Sequence, residues 1–97
     1  MKVKLIRSEK GRLEVEVDED LVTLFTALRH EALKDKRVIF AAYKRPHPLF
    51  KRTFFAIAVE EGYDAKEVLL EVISSLRGRF NNYLEALKEQ LAGGRGA

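Results

Sequence analysis

The sequence predicts a two-layer α+β domain, in which a four-stranded antiparallel sheet carries two helices on one face in the order β-β-α-β-β-α. Three observations support this fold class. The N-terminal residues alternate between apolar and charged types, two central runs are apolar at every position, and the C-terminal third repeats apolar residues at helical spacing. A chain of 97 residues suffices for one domain with a modest core.

The first two strands are predicted to form a hairpin. Residues 3–6 are typical of a strand, and residues 9–12 are polar and contain Gly11, as turns commonly do. Leu13, Val15 and Val17 then alternate strictly with acidic residues, which indicates a strand with one buried face and one face in water. Two strands joined by a short turn make a hairpin.

A helix is predicted to follow the hairpin. Asp18, Glu19 and Asp20 offer an N-cap and negative charge at the positive end of a helix. The apolar residues that follow at helical spacing are Leu21, Leu24, Phe25, Leu28 and Ala32. The helix is expected to end near Lys34, whose charge suits its negative end.

The third and fourth strands are predicted at residues 38–43 and 54–59. Both runs are apolar on both alternating faces, which indicates strands covered on both sides. The helices of the domain can cover one side. We expect a separate chain to cover the other.

The C-terminal helix is the longest predicted element. Its apolar stripe comprises Ala65, Val68, Leu69, Val72, Ile73, Leu76, Phe80, Tyr83, Leu84, Leu87 and Leu91. A helix over residues 64–91, with Asp64 as its N-cap, would be about 42 Å long, whereas a domain of this size is about 30 Å across. The end of the stripe should therefore overhang the sheet and require a partner. Gly78 interrupts the stripe and is expected to mark a bend or a close crossing. We predict a single domain over residues 1–92 and a flexible tail over residues 93–97.

Charge is distributed unevenly along the chain. Residues 9–20 are mostly acidic and residues 34–52 mostly basic, but the formal net charge is only +3. This separation suits either a domain with several neighbours or two solvated faces. The basic cluster Lys44, Arg45, Lys51 and Arg52, with nearby aromatic rings, would fit an acidic protein neighbour or a nucleic acid, and we favour the protein.

Residues suited to catalysis are sparse. The chain contains no cysteine, which excludes disulfides and thiolate zinc sites, and its two histidines, His30 and His47, have no partner at metal-ligand spacing. No glycine-rich phosphate loop is present. We therefore predict no catalytic residues, no metal and no cofactor, and expect His47 to pack or hydrogen-bond at an interface rather than act as a ligand or general base.

No apolar run approaches the roughly 20 residues needed to span a bilayer, so we expect a cytoplasmic protein.

Two stretches of the sequence carry a family resemblance. Residues 38–50 read Val-Ile-Phe-Ala-Ala-Tyr-Lys-Arg-Pro-His-Pro-Leu-Phe, and Thr23-Leu24 and Leu28-Arg29 precede Lys34-Asp35. Together these resemble the small assembly subunit of archaeal and eukaryotic multisubunit RNA polymerases, called subunit L in archaea. The family pattern Val-x-Phe-Ala-x-Tyr-x-x-Pro-His-Pro-Leu matches almost completely. In the upstream pattern Val22, Phe25 and Thr26 replace His, Gly and Asn.

The resemblance implies a non-catalytic subunit of a DNA-directed RNA polymerase, a nucleotidyltransferase whose chemistry belongs to other chains. The subunit would form a heterodimer with the larger alpha-like subunit, called D in archaea, and this platform would recruit the large catalytic subunits for transcription. DNA would be contacted only indirectly, and a membrane not at all. The partner-binding residues would be Leu21, Leu24, Phe25, Leu28, Phe80, Tyr83, Leu84, Leu87 and Leu91, with Phe25 reaching the partner rather than the core. A large subunit would contact Lys44, Arg45, Pro46, His47, Pro48, Leu49 and Phe50.

Two other classes of protein remain open. A small homodimeric enzyme of the pterin dehydratase-like type shares the order of elements but relies on clustered histidines, which this chain lacks. A stand-alone homodimeric nucleic-acid-binding module would show salt-dependent binding of DNA or RNA by the isolated chain.

Overall fold

The predicted fold class is confirmed. The computed structural model describes residues 2–47, 49 and 51–94, with all their side chains except those at 83, 84 and 92. Its elements are β1 (Val3–Glu9), β2 (Arg12–Val17), α1 (Val22–Ala32), β3 (Val38–Lys44), β4 (Thr53–Val59) and α2 (Ala65–Gly94). The four strands form one antiparallel sheet in the order β1-β2-β4-β3.

The core lies between one face of the sheet and the two helices. Strand β4 alternates between buried and half-buried positions, and its Phe55, Ile57 and Val59 face the helices. Helix α1 packs over β3, while α2 packs over β2 and β4. The buried apolar residues are Leu13, Val17, Phe25, Leu28, Ala32, Ala41, Phe55, Ile57, Val59, Ala65, Val68, Leu69 and Val72.

Both edge strands are irregular. The pairing register of β1 shifts between Leu5 and Arg7, and that of β3 shifts between Val38 and Phe40. Every β1 side chain is exposed, because the helices cover the other three strands and not this one. Bulges at sheet edges discourage pairing with further strands, so the edges are poorly suited to extending the sheet.

The predicted acidic cap of α1 is partly present, because the Asp20 carboxylate accepts a hydrogen bond from the Val22 N–H at 3.4 Å. The N-cap position is Leu21, which makes no side-chain capping bond. The chain is also held there by the fully buried Thr53, whose hydroxyl accepts a hydrogen bond from the Leu21 N–H at 2.9 Å and donates one to the Glu19 carbonyl at 2.6 Å. Asp18 accepts a hydrogen bond from the Lys2 N–H at 2.7 Å, and this bond lowers the pKa of the Asp18 carboxyl.

The predicted cap of α2 is confirmed. The Asp64 carboxylate accepts hydrogen bonds from the N–H groups of Lys66 at 2.9 Å and Glu67 at 3.2 Å. These are the second and third residues of α2, whose N–H groups lack partners within the helix. The cap fixes where α2 begins and therefore how far its other end extends.

The second face of the sheet carries no helix. Phe54, Ala56 and Ala58 of β4 are half-buried there. Two charged side chains of the chain itself cover part of this face. The Arg12 guanidinium lies 5.3 Å from the centre of the Phe40 ring, and the Lys44 ammonium lies 5.4 Å from the centre of the Phe54 ring. The expectation that a separate chain must cover this face is therefore weakened.

Gly78 lies in α2 without any close neighbour. A Cβ built at this position meets nothing within 4 Å among the described residues, so Gly78 does not mark a close crossing within the chain. Gly78→Ala should raise the free energy of unfolding by about 1 kcal/mol, because glycine is the poorer helix former. Urea denaturation of the isolated chain measures this.

Gly62→Ala is the matched control for that experiment. Gly62 also has an open surrounding, but its φ of 96° lies in the left-handed region that favours glycine. The same substitution should therefore lower stability at Gly62 and raise it at Gly78. A destabilised Gly78→Ala variant would contradict the open surrounding of this position.

Candidate subunit interface

An apolar groove separates the N-terminal half of α1 from the middle of α2. Its volume is about 610 Å³, and its lining is mostly apolar. Its walls are formed by Leu21, Leu24 and Ala27 on one side and by Ile73, Leu76 and Phe80 on the other, with Asp20, Thr23 and Arg77 also lining it. The groove is open to solvent, and Leu24, one of the residues that line it, is 50% exposed.

The predicted overhang of α2 is present. Every described side chain from Arg77 to Leu91 is exposed, including Phe80 at 64%, Leu87 at 55% and Leu91 at 67%. Helix α2 has 30 residues, a length of about 45 Å. The radius of gyration is 16.4 Å, whereas a compact chain of about 100 residues has about 13 Å.

The groove and the overhang form one surface. Ile73, Leu76, Phe80, Leu87 and Leu91 follow at steps of three, four, seven and four residues, which keeps them on one side of a helix. Tyr83 and Leu84 lie on the same stretch of α2, but their side chains are outside the described part of the chain. We call this apolar surface, from Leu21 and Leu24 through Ile73 and Phe80 to Leu91, the helical face.

Phe25 and Leu28 correct the sequence-based assignment of partner-binding residues. Each is only 6% exposed, and the Phe25 ring centre lies 5.3 Å from that of Phe55 in the sheet. Helix α1 lies flat on the sheet, so Phe25, Leu28 and Ala32 point into the core. Phe25 therefore serves the core of this chain, and the prediction that it reaches a partner is wrong.

Three apolar residues of the groove, Ala27, Ile73 and Leu76, are absent from the predicted partner-binding set. Ile73 and Leu76 belong to the predicted apolar stripe of α2, but the part they play in the groove depends on α1 lying beside them. Ala27 carries too little apolar surface to be noticed in the sequence. All three could have been identified if the packing of α1 beside α2 had been known. A single sequence does not show that packing.

Arg29 has a structural role in this chain. Its Nε donates a hydrogen bond to the Ala41 carbonyl of β3 at 3.1 Å. This bond ties α1 to the edge strand that it covers. The position of Arg29 within the family motif is thus explained by the packing of the domain.

The basic connector between β3 and β4 is exposed and tied to acidic neighbours. Lys44, Arg45, Pro46, His47 and Leu49 are exposed, whereas Pro48 and Phe50 lie outside the described residues. Arg45 forms an ion pair with Asp20 at the mouth of the groove, and Arg52 forms one with Glu16 of β2. His47 Nδ1 accepts a hydrogen bond from the Leu49 N–H at 3.2 Å. Two of the four bases are thus already paired, which weakens the nucleic-acid interpretation.

A second cavity lies on the other side of the contact between the helices. It has a volume of about 310 Å³ and is lined by Glu31, Lys34, Asp35, Arg37, Glu71, Val72 and Ser75. Arg37 pairs with Asp35 at 2.7 Å, and its hydrogen bond lowers the pKa of the Asp35 carboxyl. This cavity is polar, in contrast to the groove.

Among the residues that the structure describes, no group of three or more His, Cys, Asp or Glu is placed to hold a metal. His30 lies exposed on α1 and His47 on the connector, so the two histidines belong to separate elements. In the described part of the chain, no helix is long and apolar enough to cross a membrane.

The fold and its exposed helical face define a subunit-pairing module. A family model described as the RNA polymerase Rpb3/Rpb11 dimerisation domain matches residues 12–86, well over half of the chain. The chain therefore belongs to the Rpb3/Rpb11 dimerisation domain family of RNA polymerase.

Archaeal relatives agree with this assignment. Subunit Rpo11 of DNA-directed RNA polymerase from Sulfurisphaera tokodaii is 31% identical over 88 residues, which cover 91% of this chain and 95% of the relative. The Rpo11 subunit from Sulfolobus acidocaldarius is 30% identical over 89 residues, covering 92% and 99%. A crystal structure of DNA-directed RNA polymerase subunit L from Thermoplasma acidophilum has the same fold, with a TM-score of 0.77 and 23% identity over 94% of this chain and 89% of that one.

Proposed function

We propose that this chain is a non-catalytic assembly subunit of DNA-dependent RNA polymerase, which pairs with the larger alpha-like subunit of the enzyme, the one called D in archaea. The pair would form the platform that recruits the large catalytic subunits. The observation that carries the proposal is the helical face, an apolar surface that this chain leaves in water. Monomeric proteins rarely expose apolar patches of this extent.

The shape of the helical face favours a partner that contributes helices. Its groove is bounded by two helices, and the ridge of side chains on a third helix can pack between them. The exposed part of α2 beyond Leu76 offers a further apolar stripe to the same partner. Burial of a large apolar side chain contributes about 1.5–3 kcal/mol, so Leu24, Phe80, Leu87 and Leu91 together supply a substantial driving force.

The basic connector is proposed to contact a large subunit. The described residues from Lys44 to Leu49 are exposed. Arg45 forms an ion pair with Asp20, which lines the groove, so the connector lies beside the groove. A large subunit that binds here would contact the pair near the junction of its two chains. The residues proposed for this contact remain Lys44, Arg45, Pro46, His47, Pro48, Leu49 and Phe50.

Copurification from the native host tests the proposed function. A tagged copy of the chain, expressed at native level, should bring down an alpha-like subunit and the large catalytic subunits in equal amounts. A variant with Phe80→Asp, which places a charge on the helical face, should bring down none of them. As a control, Asn82→Asp places the same charge on an exposed position of the same helix and should leave copurification intact.

The competing nucleic-acid-binding function predicts a different result. A stand-alone nucleic-acid-binding module would recover nucleic acid without polymerase subunits, and its recovery would fall steeply with salt. Recovery of no polymerase subunit by the unsubstituted chain would contradict the proposal.

A further inference from the structure

The buried carboxylate of Glu31 lies where the two helices cross. Glu31 belongs to the last turn of α1 and is only 8% exposed. Its carboxylate receives the Arg79 guanidinium at 3.0 Å, the Ser75 hydroxyl at 3.5 Å and the Lys34 ammonium at 3.5 Å. Lys34 follows the same helix, whereas Ser75 and Arg79 belong to α2. A buried charge is costly unless it is paired, so this contact strongly favours one placement of α2.

The contact is located at the last point where α2 touches the domain. Among the described side chains of α2, that of Leu76 is the last one partly buried, and each described side chain after it is exposed. Ser75 and Arg79 flank Leu76 on the polar side of the helix. The direction in which the overhang leaves the domain is therefore set at these residues.

The polar cavity and the apolar groove lie on different sides of α2. Glu71 and Ser75 line the polar cavity, whereas Ile73 and Arg77 line the groove. At about 100° per residue, the two pairs are separated by roughly 160° around the helix. Because both helices are rigid rods that contact each other at one place, a change in their crossing angle changes the width of the groove.

A second ion pair supports the same geometry. Arg37, held by Asp35 at 2.7 Å, also donates to the Glu71 carboxylate at 3.2 Å. Glu71 lies one turn before Ser75 on the same side of α2. Polar contacts at Glu71, Ser75 and Arg79 thus hold α2 in place over two turns of the helix.

We infer that Glu31 is a positioning residue for subunit pairing, because it fixes the crossing of α1 and α2 and thereby sets the width of the groove and the direction of the overhang. Glu31 itself does not line the groove. Its contribution is to hold Leu24 and Phe80 at the separation that the partner requires. The consequence for pairing rests on the proposed function, whereas the effect on the crossing of the helices does not.

Distance measurement between two spin labels tests the inference directly. The chain has no cysteine, so Thr26→Cys on α1 and Asn82→Cys on the overhang supply specific attachment points, and both positions are exposed. Labelled chain diluted into unlabelled chain gives the distance within one molecule. Glu31→Gln keeps the shape of the side chain and removes its charge. Arg79→Gln removes the opposite charge at a half-exposed site where folding is not at risk.

We expect both substitutions to broaden the distance distribution by at least half of its width. The doubly substituted chain should show no further broadening, because the two residues act through one contact. Lys88→Gln is the matched control, since it removes an exposed ion pair with Glu85 on the same helix and should leave the distribution unchanged. Unchanged distributions in both Glu31→Gln and Arg79→Gln would overturn the inference.

Affinity for the alpha-like partner separates this inference from the proposed function. Glu31→Gln should weaken pairing about tenfold, mainly through slower formation of the correct arrangement. If a charge at Leu24 abolishes pairing while Glu31→Gln leaves it unchanged, the groove is the interface and the positioning role of Glu31 is refuted. If neither substitution affects pairing, the proposed function fails, and the spin-label distances still decide whether Glu31 fixes the crossing.

Discussion

Phe25→Ala should destabilise the isolated chain by about 3–5 kcal/mol, the usual range for removing a buried aromatic ring. The Phe25 ring packs against Phe55 with 5.3 Å between ring centres and an angle of 58° between ring planes. A tilted aromatic pair of this kind adds about 0.5–1.5 kcal/mol to the burial of its surface. Small domains are stable by only about 5–15 kcal/mol, so the variant should be near its threshold for folding.

Urea denaturation followed by far-UV circular dichroism measures the loss. Leu24→Ala is the matched control, because Leu24 is the adjacent residue on α1 and is half exposed in the groove. It should change the free energy of unfolding by only about 0.5 kcal/mol, as surface substitutions do. Equal losses at the two positions would contradict the assignment of Phe25 to the core and Leu24 to the helical face.

The arrangement of elements was predictable because its signals are local. Strict alternation at Leu13, Val15 and Val17 fixes the phase of β2, and the apolar repeat of α2 extends far beyond the length that a small sheet can cover. The Asp64 cap was also local, since its partners are two and three residues away. These features depend on neighbours in sequence, which a single sequence displays.

The features that were not predictable depend on contacts between distant residues. Thr53 holds the start of α1 from 32 residues away, a role that the acidic run before the helix obscured. Leu24 and Phe25 are adjacent and both apolar, but their side chains point about 100° apart on a helix. Only one of them can face the sheet, and the presence of Phe55 opposite Phe25 decides which. Sequence alone contains no sign of that choice.

The interface assignment was predictable only where it depends on the length of α2 and not on contacts between distant residues. Phe80, Leu87 and Leu91 lie beyond any position that the sheet reaches, so their exposure follows from length alone. The groove requires α1 and α2 to be placed side by side, and Ala27, Ile73 and Leu76 acquire their role only then. Contact of Leu21, Leu24, Phe80, Tyr83, Leu84, Leu87 and Leu91 with a partner stays a prediction.

Leu24→Asp should abolish pairing with the alpha-like partner while leaving the chain folded. Leu24 is the third residue of α1, where a negative charge interacts favourably with the positive end of the helix. The same charge would be buried without a partner once the groove is filled, which is strongly unfavourable. Central interface residues of this kind contribute about 2 kcal/mol or more, equivalent to at least about a 30-fold loss of affinity.

Co-expression of the tagged variant with its partner, followed by pull-down, measures this effect, and circular dichroism of the isolated variant confirms that it folds. Thr26→Asp is the control, because Thr26 is exposed on α1, away from the residues that line the groove. The two variants carry the same added charge at nearby positions on different sides of α1. Loss of pairing in Leu24→Asp alone would assign the groove to the interface, because only that charge would then meet the partner. Equal pairing by both variants would mean that the partner binds elsewhere, and the exposed apolar surface of the groove would then need another explanation.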